Sequence, residues 1–75
     1  MAKTTINNNT FTEVLDGAGF CISEVETIYS FGTTPSIEDS FTLGPRGQVN
    51  GFNNKTLWAM SVLHAEVDVY SETED

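Results

Sequence analysis

From Phe11 onward, short runs of apolar and β-branched residues alternate with clusters of turn formers. Phe11–Leu15, Phe20–Phe31, Ile37–Leu43 and Gln48–Phe52 are rich in Thr, Val, Ile, Phe and Tyr. Such side chains lose rotamer freedom against a helical turn but pack well on a pleated surface, so each run is predicted to be a strand. The punctuation between them is Asp16-Gly17-Ala18-Gly19, Thr33-Thr34-Pro35-Ser36, Gly44-Pro45-Arg46-Gly47, Asn50-Gly51 and Asn53-Asn54. Gly, Asn and Asp tolerate positive φ and Pro fixes φ for a turn, so the chain is expected to reverse at these points. Short strands at this spacing predict an all-β fold, a small antiparallel β-sandwich or barrel.

The stretch Leu57–Tyr70 (LWAMSVLHAEVDVY) admits two periods. At helical spacing Leu57, Met60, Ser61, His64 and Val67 make a mediocre stripe, giving a competing helix over Lys55–Ala65. At period two, Leu57, Ala59, Ser61, Leu63, Ala65, Val67 and Val69 share a face that is apolar except for one serine. The alternate positions begin as Trp58, Met60 and Val62 and continue as His64, Glu66, Asp68 and Tyr70. The second half alternates cleanly, so strand is preferred, and a reversal near Ser61–His64 would make two strands of it despite the poor turn chemistry there.

Residues 1–10 (MAKTTINNNT) read as a polar N-terminal arm or a first edge strand, 11–70 as the β domain, and 71–75 (SETED) as an acidic tail. Seventy-five residues make one small domain. A chain of this size buries only about 60% of the surface its unfolded form exposes. Disulfides or a metal often compensate in small domains. Here one cysteine, Cys21, rules out an intrachain disulfide, and a single histidine leaves the pair short of a four-ligand zinc site. That leaves partner subunits or an unusually good small core, and association with further copies is the expected source of stability.

Charge narrows the partners. Eleven acids face Lys3, Arg46 and Lys55, for a net charge of −8. Affinity for nucleic acid rests on Lys and Arg neutralising phosphates, and anionic membranes attract the same residues, so neither partner is expected. No apolar run approaches a membrane span, and Met-Ala-Lys-Thr-Thr lacks a signal-peptide core, so synthesis in the cytoplasm is the expectation.

Candidate chemistry is sparse. His64 is the one imidazole, and Cys21 with His64 would be the available nucleophile–base pair. A lone cysteine in a strand is more often a small buried hydrophobe, and no catalytic motif accompanies it, so no catalytic residue is assigned. Glu24 with Glu26 and Glu66 with Asp68 would each share a strand face, and together could offer oxygens to a cation such as Ca²⁺. No calcium-loop pattern supports this; a solvated outer face is the expected role, with no metal and no cofactor. The remaining outliers are apolar residues and one arginine suited to protein contact: Trp58, Met60, Val62, Leu63, Phe52 and Arg46 are the candidate interface. Trp58 is assigned equally to core and interface.

The segment YSFGTTPSIEDSFTLGPRGQVNGFNNKTLWAMSVLHAEVDVYSE resembles small all-β modules of tailed-phage virions: head decoration, head-fibre and tail-associated proteins. The resemblance covers roughly residues 20–72. Its pieces are an aromatic strand into a proline segment (Tyr29–Ser36), a Leu-x-Pro-Gly-like turn (Leu43–Gly47) and a Gly/Asn-rich piece (Val49–Asn54). A Leu-Trp-Ala strand (Leu57-Trp58-Ala59) and a final Val-rich strand (Ala65–Tyr70) complete it. The chain departs from that layout at Ser61-Val62-Leu63-His64, where a glycine-containing polar turn is usual, and in its asparagine-rich start. The resemblance implies a non-enzymatic virion component made in the host cytoplasm. It would assemble with itself, with a trimer as the expected state, and adhere to a capsid or tail protein. The rival class, motivated by the charge, is a small acidic inhibitor that mimics DNA in a basic groove of a host or defence protein.

Overall fold

The computed structural model describes residues 2–74; Met1 and Asp75, which end the expected arm and tail, lie outside the described residues. Eight strands follow one another: β1 (Ala2–Ile6), β2 (Thr12–Asp16), β3 (Gly19–Ser23), β4 (Thr27–Phe31), β5 (Ser40–Leu43), β6 (Gln48–Gly51), β7 (Thr56–Ser61) and β8 (Val67–Thr73). They form two four-stranded antiparallel sheets, β1-β8-β3-β6 and β2-β7-β4-β5, packed face to face as a β-sandwich. The thinnest dimension, 17 Å, matches two sheets about 10 Å apart plus their outer side chains.

The topology follows from one nested hairpin. β4 pairs with β5, β3 with β6, β2 with β7 and β1 with β8. Tyr29 faces Phe41 and Cys21 faces Val49, and both pairs of numbers sum to 70. The sum is 71 for Thr12 with Ala59, 72 for Leu15 with Leu57 and 73 for Thr4 with Val69. The two halves of the chain therefore mirror each other about Pro35–Ser36 with a drift of only three residues. This long hairpin is rolled up, so that β8 also pairs with β3 and β7 also pairs with β4. Eight strands in this order are a jelly roll. The connection β4–β5 is a hairpin; the others carry the chain from one sheet to the other.

This arrangement corrects some expectations and bears out others. Phe20–Phe31 is not one strand, because Glu24–Glu26 turns the chain from β3 into β4 in the opposite sheet. The preferred two-strand reading of Leu57–Tyr70 holds, in place of the competing helix over Lys55–Ala65: Thr56–Ser61 is β7, and the chain then crosses to β8. That crossing also explains the missing tight turn. Ser61 and Val67 belong to different sheets, so the segment between them bridges the sandwich and needs no hairpin chemistry. Buried Ser61 fixes the corner by donating its hydroxyl to the His64 carbonyl, while Ser61 N bonds Asn7 O (2.9 Å) and Val62 N bonds Glu26 O (3.3 Å). At the start, Ala2–Ile6 forms an edge strand on β8, and β8 itself runs through Thr73, two residues beyond the start of the expected tail.

The core is assembled from alternating positions, as the pleat requires. Leu57, Ala59 and Ser61 of β7 meet Tyr29 and Thr27 of β4 across their own sheet; Ile6, Cys21, Val49 and Val69 come from the other. Val14 and Leu15 are neighbours in sequence yet both buried, because the β2/β7 register shifts between Glu13 and Leu15. A bulge of this kind turns two successive residues inward. Gly19 and Gly51 sit side by side in β3 and β6 where no side chain fits: a Cβ on Gly19 would lie 2.1 Å from Glu72 O, and one on Gly51 2.3 Å from Gly17 O.

Candidate interaction surfaces

On the outer face of β2-β7-β4-β5, the side chains opposite to the core line up across the strands. Trp58 stands opposite Ser30 and Glu13, and Met60 opposite Ile28. Trp58, Met60 and Ile28 are each half-buried, forming an apolar strip between Glu13 and Asp16 on β2 and Ser40 and Thr42 on β5. The Trp58 indole N–H donates to Gly32 O at 2.8 Å, which anchors the ring toward the β4–β5 connection. Trp58 is thus half-buried outside the core, with its indole N–H satisfied.

The other residues expected at an interface are dispersed. Val62 and the 79%-exposed Leu63 occupy the β7–β8 corner. Arg46 lies in the β5–β6 connection at the same end, held in the left-handed region (φ 66°), with its N bonded to Ser23 O at 2.7 Å. Its guanidinium reaches Glu24 at 3.3 Å, so it is engaged within its own chain. Phe52 is at the opposite end, against Phe31 (centroids 5.3 Å), which stacks on Phe41 (6.0 Å), which stacks on buried Tyr29 (5.8 Å). An aromatic chain therefore leads from the core out to Phe52.

The reactive pair does not form. Cys21 is fully buried, whereas His64 is exposed in the β7–β8 corner. Burial pushes the Cys21 thiol up to about 11, an effect partly offset by the neighbouring Tyr29 hydroxyl. Tyr29 is also raised, chiefly by burial and then by Cys21 beside it. Its hydroxyl is buried without a hydrogen-bond partner of ordinary geometry among the described residues. The four carboxylates considered for a cation are apart: Glu24 and Glu26 are in a connection, and Asp68 accepts from Thr5 (2.7 Å) and lies 3.9 Å from Lys3. Among the described residues, no three potential ligands gather.

A surface not foreseen from sequence lies on the outer face of β1-β8-β3-β6. Phe20 stands between Glu72 of β8 and Asn50 of β6, and Ile22 between Tyr70 and Gln48. Gln48 Nε2 donates to Asn50 Oδ1 at 3.0 Å. At the end of this face an open cleft of about 500 Å³ is lined by Phe20, Asn50, Glu72 and Glu74 with the backbone of Gly19 and Gly51. The signal was in the sequence only as period-two alternation in three separate runs; their adjacency comes from the roll. No protein-family model, curated protein or solved structure matches the chain.

Proposed function

We propose that the protein is a non-enzymatic structural component of a virion, a capsid decoration or head- or tail-associated protein that works by self-association and adhesion. The observation that carries this reading is the Trp58–Met60–Ile28 strip, an apolar patch on a flat sheet face with polar margins. Aromatic and Met side chains concentrate at interface centres because they bury much area for little lost freedom. Packing this face against a second copy desolvates the strip and adds the burial that a small domain lacks. A closed ring of three copies repeats the contact without leaving a free patch. The remaining exterior is acidic, with a net charge of −8, so separate rings repel one another and stay dispersed until they meet the particle. Adhesion then falls to the loop-bearing ends, where Leu63 and Phe52 are exposed.

Native mass spectrometry over a range of concentration and salt tests this. A discrete trimer that persists in high salt is expected, with Met60→Glu giving a folded monomer by circular dichroism. A folded wild-type monomer that also fails to bind any virus particle would overturn the reading.

A further inference from the structure

We propose that the cleft at the end of the β1-β8-β3-β6 sheet is a binding site for an uncharged saccharide. Three strands set Glu72, Phe20 and Asn50 in one row, so a half-buried aromatic ring is flanked by a carboxylate on one side and a carboxamide on the other. The carboxamide is oriented. Gln48 Nε2 donates to one of the two lone pairs of Asn50 Oδ1, so Asn50 still offers both its Nδ2 hydrogens and a second acceptor site. Among the described residues the ion pairs are Lys3–Asp68 and Arg46–Glu24, so Glu72 and Glu74 keep their acceptors for a ligand.

A pyranose ring has an apolar C–H face and a rim of hydroxyls that both donate and accept. Phe20 matches the face, Glu72 and Glu74 accept from the rim, and Asn50 donates to it. The cleft, about 500 Å³, falls within the usual size of small-molecule sites. The same features argue against the alternatives. Two carboxylates without a base repel an anionic sugar or a phosphate. A guanidinium or ammonium group would suit Phe20 and the glutamates, but it has only donors and leaves the Asn50 Nδ2 hydrogens without an acceptor, whereas a hydroxyl rim serves donors and acceptors alike. This inference does not depend on the virion reading, since the cleft and the Trp58 strip lie on opposite sheets.

Titration of the ¹⁵N-labelled full chain followed by amide shifts tests it, using maltohexaose, cellohexaose and chitohexaose as probes and an arginine-rich peptide as the cationic control. Saturable shifts centred on Phe20, Asn50 and Glu72 are expected with at least one oligosaccharide, unchanged by added salt. Phe20→Ala should weaken that binding about tenfold or more through loss of the ring contact. Should Phe20→Ala unfold, Asn50→Asp, which at constant shape replaces the amide donor by a charged acceptor, should weaken it comparably. Absence of saturable shifts at these residues with all three oligosaccharides, or salt-sensitive shifts with the peptide alone, overturns the proposal.

Discussion

Cys21 and Tyr29 show how single buried side chains tie stability to pH. Both are neutral when protonated, and burial holds both protons more tightly in the folded chain than in the unfolded one. The unfolded chain therefore releases them first, from ordinary values of 9.0 and 10.0. Where the unfolded state binds fewer protons, stability falls with rising pH. Stability is thus fully present below pH 9, and from there declines through the folded Cys21 value of about 11 and beyond. Urea midpoints measured from pH 7 to pH 11 should fall across the upper part of the range. Cys21→Ala should move the onset toward the Tyr29 range, and a midpoint flat to pH 11 would contradict the buried placement. Chain position gives no hint of this coupling; it arises because β3 and β4, in opposite sheets, aim these two side chains into one core.

At the level of strands and turns, two glycines that look alike in sequence carry different constraints. Gly17 has φ 97° with open space around its missing Cβ, whereas Gly19 has φ 149° with Glu72 O only 2.1 Å from where a Cβ would stand. Gly17→Ala should cost about 1 kcal/mol, the usual penalty for positive φ. Gly19→Ala adds a backbone collision on the central strand of a three-strand ladder, at its end, and should cost about 3 kcal/mol or more. Chemical denaturation of the two variants separates them; equal costs would mean that β3 and β8 are not in close register at Gly19. The comparison also marks how far the sequence could be read. β2 and β6 were visible as β-rich runs between turn formers, and period-two alternation made β7 and most of β8 visible, although both faces of β7 carry apolar residues. The break at Glu24–Glu26 was hidden because Val25 continues the apolar run across it. The β7–β8 corner was hidden because its bend comes from bonds to distant residues, Asn7 and Glu26, and from one serine hydroxyl. Of the residues expected at an interface, Trp58 and Met60 were legible as the bulky side of an alternating strand, and they do share an outer face. Arg46 and Phe52 were singled out by type alone, and type does not specify which end of a sandwich a loop occupies.

The molecule as a whole is a folded-over pair of arms, and its order of assembly is bound to that plan. Ladder β4/β5 joins residues close in sequence, while β1/β8 joins Ala2 to Ser71. Closing long loops costs entropy before contacts return it, so folding is expected to be slow for the chain's size. The same nesting has a mechanical consequence. Because Ala2 and Ser71 are partners, a force applied between them acts across the outermost ladder, not along it, and loads its hydrogen bonds one after another. Pulled this way in an optical trap, the protein should open as a zipper at low force, starting with β1/β8. Pulled between Ala2 and Val67, which lie at opposite ends of that ladder, it should resist more strongly, because the β1/β8 bonds would then shear together. A fold built like this yields readily to tension on its two paired ends and holds against tension directed along its outermost strands.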